Sequence, residues 1–164
     1  MHVFRSHHLP ITLRTSALSL LSVCLDTSAL AFLPYATDLS TAMIDLLQVE
    51  STPQALKLHR QKSEPSNDDA QLKSTMESGS TLTDSKHPSL RRAALHLLAL
   101  LLRATIAGVY DSGYQGQVFP GSDVKRAKTT LLYVASTDVD SIVRVMAREA
   151  MEQMEQLNEA IMGI

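Results

Sequence analysis

One long apolar stretch constrains the fold more than any other feature of this sequence. It runs from His87 to Val109, reads HPSLRRAALHLLALLLRATIAGV, and contains no helix-breaking residue between Pro88 and Gly108. Proline is tolerated at a helix start because the first N–H groups have no partner inside the helix. The stretch therefore predicts a helix of several turns that ends near Gly108 and around which the remaining helices pack.

The first half of this helix follows a template that occurs three times. LRRAALHLL (90–98) is preceded by LRTSALSLL (13–21) and followed, more loosely, by VRVMA (143–147). The alanine lets a neighbouring helix approach closely, and the leucines supply buried area worth about 25 cal/mol per Å². Repetition of one helix type is typical of repeat proteins, whose helical pairs stack because a single pair cannot bury its apolar face alone. The predicted structural positions of the repeat are Leu13, Arg14, Ala17, Leu90, Arg91, Ala94, Asp140, Val143, Arg144 and Ala147.

Each copy of the template carries an arginine near the start of its helix. That end of the helix dipole is unfavourable for a positive charge. We therefore expect a carboxylate or a carbonyl on the adjacent repeat, or else solvent, around each guanidinium.

The composition is that of an ordinary soluble helical protein. The chain has 164 residues, of which 45% are apolar and 20% charged, with four tyrosines, three phenylalanines and no tryptophan. Low aromatic content with abundant leucine and alanine favours helices over sheets. The formal net charge of −2 gives no reason to expect nucleic acid or an acidic membrane as a partner.

A single cysteine, Cys24, excludes an internal disulfide framework and favours a reducing compartment. It lies in an apolar segment, which predicts a buried, inert thiol. The apolar run from Ala17 to Leu25 follows Arg5 and Arg14 as in a signal peptide, but interspersed serines favour a repeat helix instead. The longest uninterrupted apolar run, 97–102, is far shorter than a membrane span.

The chain divides into four predicted segments. Residues 1–10 form a flexible N-terminus, 11–60 a first helical pair, 61–86 a disordered linker rich in Ser, Thr, Asp and Lys, and 87–164 a second helical pair plus a C-terminal helix. A break is expected at residues 26–28 and a glycine-rich loop from Tyr110 to Gly121. Ser122 or Asp123 is expected to cap the next helix, and Thr137 with Asp140 the last one.

Charge is distributed unevenly within the last predicted segment. Residues 138–164 hold six acidic and two basic residues, whereas residues 88–137 hold six basic and two acidic ones. A basic ridge and an acidic rim that orient a protein partner would explain this pattern, but solvated helix faces and pairs between repeats explain it better. The candidate partner-binding residues are Arg91, Arg92, Arg103, Lys125, Arg126 and Lys128.

No pattern in the chain predicts catalysis, a cofactor or a metal site. The histidines at positions 2, 7 and 8 are expected to lie in a frayed terminus, and His96 in the core or in a groove. Asp138 and Asp140 stand at a helix start, where capping explains them better than acid–base chemistry. The methionines at 146, 151, 154 and 162 either fill the core, which is the default, or form an adaptable groove.

Several blocks of the sequence together resemble a known family. PSLRRAALHLLALLLR (88–103), the helix 126–135 and STDVDSIVRVMAREAMEQME (136–155) resemble the C-terminal HEAT-type repeats of the RNA polymerase II assembly factor family, whose animal members are called transport and Golgi organisation protein 6. LRTSALSLLSVCLDTSALAFLPYATDLSTAMIDLLQVE (13–50) is similar to the preceding repeat of that region. The resemblance implies a short all-α solenoid of HEAT/armadillo-like antiparallel helix pairs, with the linker as a disordered insertion.

The same resemblance implies a function. Members of the family are large solenoids, so the chain is expected to be a C-terminal piece of such a scaffold. It would bind polymerase II subunits and assembly or import factors in the cytoplasm and shuttle to the nucleus, without enzymatic activity. The alternatives are a generic HEAT scaffold in protein trafficking and a small helical-bundle metal protein.

Overall fold

The computed structural model describes residues 9–51, 87–112 and 118–163, and within them the chain is helical almost throughout. No strand occurs in these three ranges, so the all-α prediction is confirmed. Most of the predicted N-terminal segment, residues 52–60 of the first predicted pair and the predicted linker 61–86 lie outside the described residues. The long helices are α1 (Ile11–Thr27), α2 (Ala36–Ser51), α3 (Pro88–Ser112), α4 (Gly121–Thr137) and α5 (Ser141–Met162).

A tight corner joins α1 to α2. Helix α1 ends at Thr27, and Ser28 leaves the helical conformation with φ −146° and ψ 58°. A helical turn (Ala29–Phe32) and a 3-10 turn (Leu33–Tyr35) then lead directly into α2. Pro34 lies in the first turn of the 3-10 segment, where its missing N–H costs no hydrogen bond. The predicted break at residues 26–28 is therefore confirmed.

Helix α3 lies at the centre of the molecule, as the sequence predicts. It contacts α1, α2 and α5 as well as the corner after α1. Contact on several sides explains why its apolar residues form a wide band instead of a narrow stripe. The side chains that are at most 1% exposed include Leu90, Ala94, Leu95, Leu97, Leu98, Leu101 and Leu102.

Helix α3 is longer than predicted, because it continues through Gly108 to Ser112. An interior glycine costs about 1 kcal/mol relative to alanine, and the burial of neighbours such as Leu102 and Thr105 offsets this cost. The prediction of a loop from Tyr110 is therefore wrong for its first three residues. At the far end of that loop, Val118 is buried, and its carbonyl oxygen accepts a hydrogen bond from the hydroxyl of Ser40.

By length and composition alone, α3 could also cross a membrane. The segment Pro88–Asp111 reaches a mean hydropathy of 1.7. The core helix of a folded domain meets the same criterion, and 56% of the relevant window is buried inside this fold. Its length and apolarity are therefore weak evidence for a membrane span.

The helix starts differ from two capping predictions. Helix α4 begins at Gly121 with Pro120 before it, and no side chain caps it, so neither Ser122 nor Asp123 is its cap. Helix α5 is capped by Asp140 without a second residue, and Asp140 accepts hydrogen bonds from the backbone N–H groups of Ile142 and Val143. Thr137 takes no part, because it is the last residue of α4 and its hydroxyl donates to the carbonyl of Tyr133.

The helices pack in a regular order. Helix α1 contacts α3 and α3 contacts α5, while α2 contacts both α3 and α4, and α4 packs on α5. Arg14 near the start of α1 pairs with Glu50 near the end of α2. These two helices therefore run in opposite directions, and both pack on α3.

Most apolar template residues of α3 and α5 are buried, whereas Asp140 and Arg144 are only half-buried. Leu90, Ala94, Val143 and Ala147 are fully buried. Ala17 is only partly buried, and Leu13 is 50% exposed, so the prediction that Leu13 belongs to the core is wrong. Helix α1 packs against α3 and against the corner that joins α1 to α2. One side of α1 therefore stays uncovered.

Candidate protein-interaction surface

The three template arginines occupy the same position in their helices. Arg14, Arg91 and Arg144 are each the fourth residue of α1, α3 and α5. Three residues later, each helix carries the template alanine as its seventh residue. The sequence repeat therefore corresponds to a repeat in the helical register.

Arg91 is buried in an ion pair with Asp138, the residue that follows α4. Its Nε lies 2.7 Å from Oδ2 of Asp138, and its Nη2 donates to Oδ1 at 2.9 Å. The Nε–H bond is not directed at the carboxylate well enough to form a second hydrogen bond. The side chains are only 3% and 2% exposed. Arg91 is thus a structural residue, and its prediction as a partner-binding residue is wrong.

Asp138 connects three helices. Besides Arg91 of α3, its Oδ1 accepts the backbone N–H of Asp140 at 2.9 Å. Its carbonyl oxygen accepts a hydrogen bond from Nη1 of Arg144 at 2.7 Å. Arg91 and Arg144 therefore each have the carboxylate or carbonyl that is expected around a template arginine.

Arg14 has the same kind of partner at the other end of the fold. Its Nη1 lies 3.5 Å from Oε1 of Glu50, with side-chain exposures of 4% and 5%. Both this pair and Arg91–Asp138 join the fourth residue of one helix to a carboxylate at the end of the next described long helix. Because an unpaired buried charge is costly, these pairs fix how each helix end is placed.

Three further candidate residues are also engaged within the fold. Arg92 pairs with Asp140, Arg103 with Glu149, and Arg126 with both Asp45 and Asp123. With its amide oriented so that the oxygen faces α3, Gln153 of α5 also accepts hydrogen bonds from Arg103 and donates to the carbonyl of Ala99. Within residues 87–112 and 118–163, the arginines of the predicted basic ridge thus form ion pairs with carboxylates of other parts of the fold. The favoured interpretation predicts such pairs.

Arg126 belongs to a polar contact between α2 and α4. A hydrogen bond to Asp45 raises the pKa of Arg126; burial opposes this, and the charges of Asp45 and Asp123 add to it. One turn along, Nε2 of Gln48 donates to the hydroxyl of Thr130 at 2.9 Å. This contact aligns α2 with α4.

Asp140 combines a cap with an ion pair. Burial alone would raise the pKa of Asp140, but hydrogen bonds from Arg92 and from the backbone N–H groups of Ile142 and Val143 outweigh it. The pKa therefore lies below its ordinary value, which keeps the carboxylate charged at the positive end of α5.

In the described part of the chain, several charged side chains face solvent without an ion pair, among them Asp26, Asp38, Asp111 and Arg148. Lys125 and Lys128 of α4 are exposed, and so are Glu152, Glu155 and Glu159 of α5. The predicted acidic rim is thus present on α5, whereas of the predicted basic residues only the two lysines remain available to a partner.

A shallow groove of about 320 Å³ lies between α1 and α3. The exposed imidazole of His96 lines it, which confirms the groove interpretation of this histidine. The other lining residues are Ser19, Ser22, Val23, Asp26, Ala93 and Leu100. Cys24 beside it is only half-buried, so the prediction of a fully buried thiol is wrong.

The remaining candidates are methionine and histidine side chains. Met154 is buried, Met146 and Met151 pack against the core, and Met162 is 63% exposed, so three of these methionines fill the core. Among the described residues, no group of three or more His, Cys, Asp and Glu side chains could hold a metal ion. The histidines at positions 2, 7 and 8 lie outside those residues.

The apolar outer side of α1 was not predicted from the sequence. Leu20 and Val23 are 64% and 61% exposed beside Leu13. The signal was present in the sequence, because α1 carries apolar residues around most of its circumference, more than a helix with one buried side needs.

Comparisons with known proteins returned no match to a family model, a curated protein or a solved structure. The resemblance to polymerase II assembly factors therefore stays a prediction that rests on the sequence blocks alone.

Proposed function

We propose that this chain is a non-enzymatic helical-repeat scaffold that binds other proteins, arranged as a short HEAT-like α-solenoid. The observation that carries the proposal is the shared register of the template arginines. Arg14 and Arg91 stand at the same helical position and each pairs with a carboxylate at the end of a following helix. A recurring unit with the same internal pair is what a stacked array of helix pairs requires.

The order of helix contacts is consistent with such an array. Helices α1, α3 and α5 contact one another in succession, and α2 contacts α4. In a solenoid, equivalent helices of successive repeats form one layer each. The outer surfaces of such layers are then free to bind partners.

The proposed partners are RNA polymerase II subunits and the factors that assemble or import them, in the cytoplasm and in the nucleus. This part of the proposal rests on the resemblance. The surface most suited to an acidic partner segment is the exposed side of α4, where Lys125 and Lys128 have no ion pair within residues 118–163.

Affinity purification of the full tagged chain from cells, followed by mass spectrometry, tests this function. We expect polymerase II subunits to be enriched, and K125E/K128E to reduce their recovery severalfold. The matched control is E152K/E155K, which reverses two exposed charges on α5 and should retain recovery. Enrichment of vesicle-coat or tethering proteins instead of polymerase subunits would favour the trafficking scaffold and contradict the polymerase proposal.

A further inference from the structure

Helix α1 presents three large apolar side chains to solvent on one side, interspersed with serine and threonine. Leu13, Leu20 and Val23 are each at least 50% exposed. Their spacing of seven and three residues places them on one side of the helix. Ser16 and Thr27 continue the same face and are also exposed. Large apolar side chains grouped on one solvent-facing side of a helix are typical of an interaction site.

The exposed surface of α1 is almost free of charge. Its 17 residues include only two charged ones, Arg14 and Asp26, and Arg14 is buried against Glu50. On α5, in contrast, three exposed glutamates follow one another at 152, 155 and 159. Two copies that met through this glutamate-bearing half of α5 would place like charges opposite each other, whereas two copies that met through α1 would not.

We propose that the outer face of α1 is the interface of a twofold symmetric dimer of this chain. A twofold interface joins the same patch of both copies, so the patch must be complementary to itself. An uncharged row of leucine, valine and serine meets that requirement. Antiparallel packing of the two copies of α1 also places their helix dipoles favourably.

The groove between α1 and α3 borders this face. Ser19 and Val23 line the groove, and Val23 is also part of the apolar row. The groove therefore offers a recess beside the row, into which a leucine side chain of the second copy packs, as ridges pack into grooves between helices.

The size of the face predicts a weak dimer. A helix of 17 residues is about 25 Å long, so one side of it buries less than the roughly 800 Å² per partner of a standard interface. We expect association at protein concentrations on the order of 100 μM and dissociation on dilution.

Sedimentation velocity of the full chain over roughly a hundredfold range of concentration tests the proposal. The wild-type chain should change from monomer to dimer with increasing concentration, and L20E/V23E should remain a monomer throughout. The matched control is I142E/V145E, which makes the same kind of change at residues of α5 that are 50% and 57% exposed. It should dimerise like the wild type, and circular dichroism should give equal helicity for all three.

A wild-type chain that stays monomeric over the whole range would overturn the proposal. Loss of association in I142E/V145E would place the contact at α5, and growth into open-ended polymers would indicate a head-to-tail contact instead of a twofold one. Either result would also overturn the proposal. Should L20E/V23E lose helicity, L20S/V23S replaces it. Independently, L20C/C24S should form a covalent dimer under mild oxidation, and L132C/C24S, altered at an exposed residue of α4, should not.

Discussion

The guanidinium of Arg91 and the carboxylate of Asp138 form an ion pair that is almost completely withdrawn from water, 47 residues apart in the chain. Asp138 also receives hydrogen bonds from Asp140 and, through its carbonyl, from Arg144. The pair therefore holds the start of α3, the end of α4 and the start of α5 together.

Removing either partner of this pair should destabilise the fold strongly. We expect R91M alone to lower the free energy of unfolding by about 3–5 kcal/mol, because Asp138 then remains charged and buried. In D138N, the side-chain oxygen of asparagine still accepts the backbone N–H of Asp140. This variant therefore tests the loss of the negative charge separately from the loss of that hydrogen bond. In urea unfolding, R91M/D138N should cost less than the sum of the single variants by about 0.5–3 kcal/mol. Additive costs would show that the two residues do not interact.

The exposed pair Arg103–Glu149 should contribute far less. Its side chains are 55% and 44% exposed, so water and salt screen the charges. A double-mutant cycle with R103A and E149A should give a coupling of about 0.2–1 kcal/mol that falls as salt is added. A coupling as large as that of the buried pair would contradict the exposure of these residues.

The template alanines should tolerate enlargement unequally. Ala94 is fully buried at its position in α3, so A94L should destabilise the fold by about 1–3 kcal/mol through overpacking. Ala17 has the equivalent position in α1 but is only partly buried, and A17L should cost within about 1 kcal/mol. Thermal unfolding of both variants measures the difference. Equal costs would mean that α1 is covered as fully as α3.

Acid should weaken the start of α5 through Asp140. Because its folded-state pKa is lowered, its charge stabilises the fold above the ordinary value of 3.8, and this contribution is lost as pH falls through the folded pKa. D140N retains a capping side chain but no charge. We expect D140N to be less stable than the wild type at neutral pH and equally stable at the acid end, as measured by urea unfolding across pH. A difference that is independent of pH would exclude the charge as its cause.

The sequence predicted the parts of the fold that depend on local pattern. The central role of α3, the break after α1 and the repeated helix could be read from apolar spacing and from residues such as Pro88 and Ser28. The end of α3 could not, because the cost of Gly108 is offset by packing that no local pattern reveals.

The candidate surface was predicted less well, for a physical reason. Whether an arginine faces solvent or a carboxylate depends on which helices become neighbours, and Arg126 meets Asp45 across 81 residues. The exposure of Leu13 and Leu20 has the same origin, because a leucine is apolar whether or not a helix covers it. The sequence pattern therefore identified the helix template that occurs three times, but it did not show which side of α1 is exposed to solvent.

The position of α3 between earlier and later helices has a consequence for biosynthesis. Both α1 and α2 leave the ribosome before the helix against which they pack has been made. Until then, Leu18, Leu25 and Leu47, which are fully or almost fully buried in the finished protein, have no apolar cover. The nascent chain therefore exposes these leucines until α3 emerges, and we expect chaperones that hold unfolded segments to bind it in that interval.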